Sequence, residues 1–286
     1  VFKHLFVVLA LTTSTAFALP LGISRPIEKL NLKSMDNASY DFEGIVKLSN
    51  CSAALITFEG MPDTKKAVVM TNGHCADLPG GGFLKAGEVL VNKPVKRAVG
   101  IFDAKKGLHR VNATKFIFAT MTDTDISLYE LELSYREIKD KFGVNPFLLS
   151  PKHPAINTEM MIVSGYWEKG WDCSVEDFIP TLKEDVYTWV DSLRYDPKCN
   201  TTHGTSGSPI IERNTREVIG INNTGNDSGE KCTMDNPCEV SRDGTITVRQ
   251  GISYGQETYQ VYSCLNANFE LDLKKSGCML PKPKAI

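Results

Sequence analysis

The chain has 286 residues, 42% of them hydrophobic and 23% charged, with a formal net charge of -2. That is enough apolar material for one large β body or two small domains. No basic arm or acidic tail is present, so the electrostatics favour no polyanionic partner and no nucleic-acid partner is expected.

Residues 1–18 read as a secretory signal: Lys3 and His4 precede the apolar run 5–11, and Ala16, Phe17 and Ala18 form a small-x-small cleavage pattern. The run is too short to span a bilayer as a helix. Residues 19–37 read as a propeptide or N-terminal arm. Segments of strand length follow at 42–48, 52–58, 67–71, 89–91, 97–102 and 116–119, with Gly80-Gly81-Gly82 marking a loop. Residues 131–140 read as a short helix or a loop between halves. A second series of strands is predicted at 161–166, 186–190, 208–211, 218–221 and 245–252, with a polar excursion at 232–244. Strands in both halves without helical periods between them argue for an all-β protein and against alternating β and α elements. No other apolar stretch reaches membrane-spanning length, so an exported monomer free of the membrane after loss of its leader is expected.

Eight cysteines follow the leader: Cys51, Cys75, Cys173, Cys199, Cys232, Cys238, Cys264 and Cys278. An even number in an exported chain points to disulfides. There is no CxxC pair, and the histidine that adjoins a cysteine is His74, so neither a metal site nor a cofactor is expected.

Three phrases carry chemistry: TNGHCAD at 71–77, DTDISLYEL at 123–131 and GTSGSPI at 204–210. A serine hydroxyl is a poor nucleophile unless an imidazole accepts its proton and a third group fixes the imidazole tautomer. The phrases supply a serine in a Gly-rich turn, a histidine at a strand end and an aspartate before an apolar segment. Each residue type alone is commonplace in a turn or strand cap; the conjunction is what singles out His74, Asp125 and Ser206. Asp123 competes with Asp125 by proximity. A GxSxG elbow of the α/β-hydrolase kind is broken by Ser208 at its last position.

Together these phrases resemble the trypsin/chymotrypsin-like serine protease family, and within it the bacterial glutamyl-endopeptidase-like branch. GTSGSP at 204–209 is similar to the family's GxSGSP, TNGHC to its TAAHC, and DISLYEL to its DIALLKL, in the family's order of His, Asp, Ser. The resemblance implies two packed six-stranded antiparallel β-barrels with a catalytic cleft between them. Residues 38–135 would form the first, with His74 and Asp125. Residues 136–286 would form the second, with Ser206 and a disulfide-containing C-terminal extension. It implies a serine endopeptidase acting on protein or peptide substrates, with Ser206 as nucleophile, His74 as general base, Asp125 as its orienting partner and the amides of Gly204 and Ser206 as the oxyanion hole. No IVGG-like start is present, and Arg25, Lys29 and Lys33 are candidate processing sites for a zymogen.

The family also suggests a Cys51–Cys75 bridge around the histidine loop and a Cys199–Cys232 bridge beside the nucleophile, although Cys173–Cys199 with Cys232–Cys238 is equally available by spacing. Cys264 and Cys278 would close a C-terminal loop. For substrate binding, Thr201 falls where glutamyl endopeptidases place a pocket threonine, and Asn222 where they place a histidine. The backbone of Asn223, Thr224 and Gly225 would pair with an extended peptide. His203 departs from the branch's pattern and is either a cleft residue or a solvent-facing turn residue. Asn200 stands where basic-specific relatives carry an aspartate, so acidic or polar residues before the scissile bond are expected. The competing expectations are an inactive homologue that holds a peptide in the cleft, and a purely structural disulfide-rich domain.

Overall fold

A computed structural model describes residues 40–284, so the expected leader at 1–18 and arm at 19–37 lie outside the described residues. The first sheet comprises β1 (Ile45–Lys47), β2 (Ser52–Thr57), β3 (Lys66–Thr71), β4 (Val89–Phe102), β5 (Leu108–Thr120) and β6 (Ile126–Ser134). Its order runs β1-β4-β5-β6-β3-β2, and pairing of β1 with β2 closes it into a ring. The short helix α1 (Tyr135–Phe142) follows at once, started by a Ser134–Glu137 capping box and stopped by Gly143 in the left-handed conformation. Then β7 (Phe147–Leu148) adds to β2 in parallel, leading the chain across to the second sheet.

That sheet contains β8 (Glu159–Ser164), β9 (Lys169–Glu184), β10 (Tyr187–Tyr195), β11 (Pro209–Glu212), β12 (Val218–Gly225), β13 (Cys238–Val240), β14 (Ile246–Val248) and β15 (Ser253–Glu257). Six of them close in the order β10-β15-β12-β11-β8-β9, with β9 paired back to β10, while β13 and β14 extend the edge of β9. The expected pair of six-stranded barrels is therefore the observed fold, each with one or two strands added. A buried cluster that includes Val46, Val69 and Tyr129 of the first ring with Ile179, Trp189 and Tyr254 of the second welds the two together.

The expected segments 89–91 and 97–102 are one strand. Pro94 and the register shift between Pro94 and Arg97 interrupt the alternation without ending it. The C-terminal extension, with helix α2 (Gln260–Ser263), turns back onto the first ring, where Tyr262 stacks edge-on against Phe58 and its hydroxyl donates to the Leu149 carbonyl at 2.6 Å.

The disulfides are Cys51–Cys75, Cys173–Cys199, Cys232–Cys238 and Cys264–Cys278. The family-suggested Cys199–Cys232 bridge is not formed. Cys173 on β9 lies beside the loop that carries Cys199, because Asp196 accepts from the Ser174 amide at 2.6 Å, whereas Cys232 closes a short loop before β13. Four bridges fit an oxidising compartment, and among the described residues no helix is long and apolar enough to cross a membrane.

Candidate active site

His74, Asp125 and Ser206 converge on one cleft between the rings. His74 follows β3, and Asp125 stands immediately before β6, the neighbour of β3 in the sheet. The Asp125 side chain is wholly buried; its Oδ2 lies 2.7 Å from His74 Nδ1, and its Oδ1 accepts from the His74 amide at 3.0 Å. One carboxylate thus fixes both the ring and the backbone of the same histidine. Asn72 binds the Asp125 carbonyl at 2.9 Å, adding a third tether. Gly73 is required between them: a Cβ there would meet the Thr120 carbonyl oxygen at 1.9 Å, which is why glycine stands where the family often has alanine. Burial alone would lower the His74 pKa, but the Asp125 carboxylate, by charge and hydrogen bond, with Glu184 and Asp235 behind it, raises it above the ordinary imidazole value.

Behind His74, the Cys51–Cys75 bridge ties its loop to the start of β2. Arg97, buried and invisible as a site residue in the sequence, donates to the Cys75 carbonyl at 2.7 Å and the Tyr129 hydroxyl at 2.9 Å, holding the same loop from its far side.

Ser206 lies in a turn shaped by Gly204 (φ 84°) and Gly207 (φ 79°). Gly207 packs so tightly on the first ring that a Cβ would meet the Ser52 carbonyl oxygen at 2.1 Å. The Ser206 hydroxyl donates to the Asn223 carbonyl at 3.3 Å, and among the described residues no hydrogen bond joins it to His74. Such contacts commonly tighten only when substrate binds. The amides of Gly204 and Ser206 have no protein acceptor among the described residues; Ser206 lines the cleft, and Gly204 is not among its lining residues.

The other expected residues fall as follows. Thr201, His203, Asn222, Asn223, Thr224 and Gly225 all line the cleft. Asn222 is buried with its amide engaged: Oδ1 accepts from the Tyr195 hydroxyl at 3.2 Å and Nδ2 donates to Thr205 at 3.1 Å. His203 is 71% exposed, and its Nε2 is 2.7 Å from the Asp227 carboxylate. Asp123 contributes only backbone, donating to Thr188 and accepting from Val190, and takes no part in holding His74.

Glu184, absent from the sequence-derived site, ends β9 and lines the cleft while 4% exposed. It accepts from the Thr224 hydroxyl at 2.7 Å and the Asp235 amide at 3.0 Å. Burial pushes its carboxyl up from 4.5 to about 7, against the lowering effect of those two bonds. A raised carboxyl pKa means the folded state holds its proton longer than the unfolded chain, so this group costs stability as pH rises from about 4.5 to about 7. Glu184→Gln should therefore raise the Tm relative to wild type at pH 8 and leave it little changed at pH 4. Thermal melts of both proteins at the two pH values check this, and an equal offset at both contradicts it.

Two closed β-rings with a histidine–aspartate pair and a serine turn at their junction define the chymotrypsin-like class. The trypsin-like peptidase domain matches residues 51–221, more than half of the chain, and the protein belongs to that family. Comparison with curated proteins gave no match. Among solved structures, the MamO protease domain from Magnetospirillum magneticum is similar with 12% identity and a TM-score of 0.48, covering 79% of this chain and 97% of that one. A Nocardiopsis protease has 16% identity over 76% and 93% of the two chains, with a TM-score of 0.41. Neuropsin from mouse brain has 14% identity over 76% and 89%, with a TM-score of 0.44.

Proposed function

We propose that the protein is a secreted serine endopeptidase that cleaves peptide bonds through an acyl-enzyme. The observation that carries this reading is the double grip of Asp125 on His74 in the cleft that Ser206 also lines. Asp125 holds the imidazole with its proton on Nδ1, leaving the Nε2 lone pair to accept the Ser206 proton as Oγ attacks the scissile carbonyl. His74 then gives that proton to the leaving amine, and water repeats the sequence to release the acid. The amides of Gly204 and Ser206 receive the carbonyl oxygen as it becomes negative. Because the His74 pKa is raised, activity should rise with pH through a midpoint above the ordinary imidazole value, and Glu184→Gln should move that midpoint down by removing a nearby negative charge.

The subsite that receives the residue before the scissile bond carries Thr201 and Asn222, with no carboxylate at Asn200. The Asn222 amide is already engaged and His203 is paired with Asp227, so discrimination between a charged and a neutral polar side chain should be weak. The expected result for matched peptides with Glu, Gln, Phe, Leu, Lys and Arg before the bond is that Glu and Gln lead, within about tenfold of one another in kcat/KM. Lys or Arg leading by as much overturns the pocket assignment; no turnover of any peptide overturns the endopeptidase. In that last case the hydrogen bond from Ser206 to Asn223, in place of one to His74, favours the alternative of an inactive homologue that binds peptides.

A further inference from the structure

On the second ring, outside the cleft, three potential ligand atoms converge from separate parts of the chain. His153 lies in the segment between β7 and β8, Asp191 in β10, and Glu257 at the end of β15. His153 Nε2 is 3.0 Å from Glu257 Oε1 and 3.4 Å from Asp191 Oδ2, and the three ligand atoms all lie within 4.8 Å of one another. We propose that His153, Asp191 and Glu257 bind a divalent cation of the zinc type, with a fourth position open to solvent.

Glu257 supplies the first argument. Its side chain is fully buried, yet neither carboxylate oxygen accepts a hydrogen bond. Among the described residues no lysine or arginine pairs with it or with Asp191. A carboxyl group taken out of water without donors either keeps its proton or gains a cation: burial, with the Asp191 carboxylate beside it, pushes the Glu257 carboxyl up to about 9, and a bound cation would take the place of that proton.

The tautomer of His153 points the same way. Its Nδ1 lies 2.7 Å from the Pro154 carbonyl oxygen, which can only accept, so Nδ1 carries the proton. In the neutral ring, Nε2 then presents a lone pair toward two carboxyl groups, which either a proton on one of them or a cation between them would satisfy. A backbone carbonyl on the remote nitrogen is also the usual way a metal-binding histidine is oriented.

Asp191 supplies the third argument. It has φ 54°, left-handed backbone inside a strand, a conformation that costs energy for a residue other than glycine. Asp191 itself is left out of the pairing with β9, opposite Pro180, while the register is kept on either side: Val190 is opposite Thr181 and Ser192 opposite Ile179. The distortion occurs at the residue whose carboxylate joins the cluster, and the Tyr259 hydroxyl steadies that carboxylate at 3.4 Å.

The spacing favours zinc-like ions over calcium. Ligands about 2.0–2.2 Å from a tetrahedral ion lie roughly 3.3 Å from one another, close to the separations found here. Calcium takes six to eight oxygens, and this cluster offers one nitrogen and two carboxyl groups. His153 and Asp191 are each more than a third exposed, giving the ion a path in and leaving room for water as its fourth ligand. The other His–Cys grouping, Cys51, His74 and Cys75, is ruled out because both sulfurs are in a disulfide.

The test is calorimetric titration of the chelator-treated full-length protein with zinc chloride, manganese chloride and calcium chloride, with thermal melts alongside. One equivalent of zinc should bind, calcium should bind at least tenfold more weakly, and zinc should raise the Tm by about 5 °C or more at saturation. Glu257→Gln and His153→Gln should each weaken zinc binding at least tenfold and abolish the Tm rise. His153→Gln changes a partly exposed side chain, so it keeps the test interpretable if Glu257→Gln misfolds. Asp125→Asn should leave zinc binding unchanged, which separates this site from His74. The proposal is overturned if zinc does not bind in a saturable way, if its binding survives both substitutions, or if calcium binds better. A Tm that responds to pH but not to zinc overturns it too, since protons alone would then neutralise the cluster. The outcome is independent of the peptidase reading.

Discussion

Ser206→Ala should remove peptide hydrolysis, lowering kcat by roughly four to six orders of magnitude, with the melting temperature unchanged. The size of the loss follows from what the hydroxyl is asked to do: without Oγ no acyl-enzyme forms, and only binding and the two oxyanion amides remain. The fold should tolerate the change because the side chain makes a single 3.3 Å bond to Asn223, whereas the turn is held by backbone, with the Ser52 amide donating to the Ser206 carbonyl at 2.8 Å. A serine-directed phosphonylating reagent should label wild type on the peptide containing Ser206 and leave the variant unlabelled. Near-normal turnover by the variant, or a label on another serine, would remove Ser206 from the mechanism.

Asp125→Asn should cost about 10⁴ in kcat, while Asp123→Asn costs little. Both Asp125 oxygens accept from His74, one from the amide and one from Nδ1. An asparagine must place an NH2 toward one of those donors. If it faces Nδ1, that nitrogen becomes the acceptor, the ring proton moves to Nε2, and the base loses the lone pair it needs. The neighbouring aspartate uses only its main chain, at φ 60°, a conformation asparagine adopts readily. Steady-state kinetics of the two variants on one good peptide check this; equal losses would mean that Asp125 acts through general electrostatics and not through the tautomer.

The residues legible in the sequence were those whose chemistry is written in contiguous phrases. His74, Asp125 and Ser206 each sit in a short run with its own glycine or apolar signature, and β2 and β3 show as short apolar runs in the sequence. Strand β9 was not legible. Its sixteen residues include Asp172, Glu176, Asp177 and Pro180, a composition that argues against a strand unless a partner for the charges is known. That partner is Arg194 on the adjacent strand, which binds Glu176 at 2.8 Å and Asp177 at 3.2 Å. Glu184 was missed for the same reason, since it enters the cleft only through the hairpin that β9 and β10 form. The middle cysteines were ambiguous because their choice between partners depends on where β9 runs.

One small segment of the first ring is tied to the loops of both His74 and Ser206. Cys51 is covalently joined to Cys75, the residue after His74, and Ser52 next to it donates its amide to the Ser206 carbonyl and shares a 2.8 Å hydroxyl contact with Ser164 of the second ring. Histidine and serine come from different barrels, and this dipeptide adds, to the buried cluster that already joins the barrels, a direct link between the two loops that carry them. Attached to a common dipeptide, they move with the same origin, and the shared part of that motion cancels from their separation. The separation of His74 from Ser206 is thus set through two short tethers to one dipeptide.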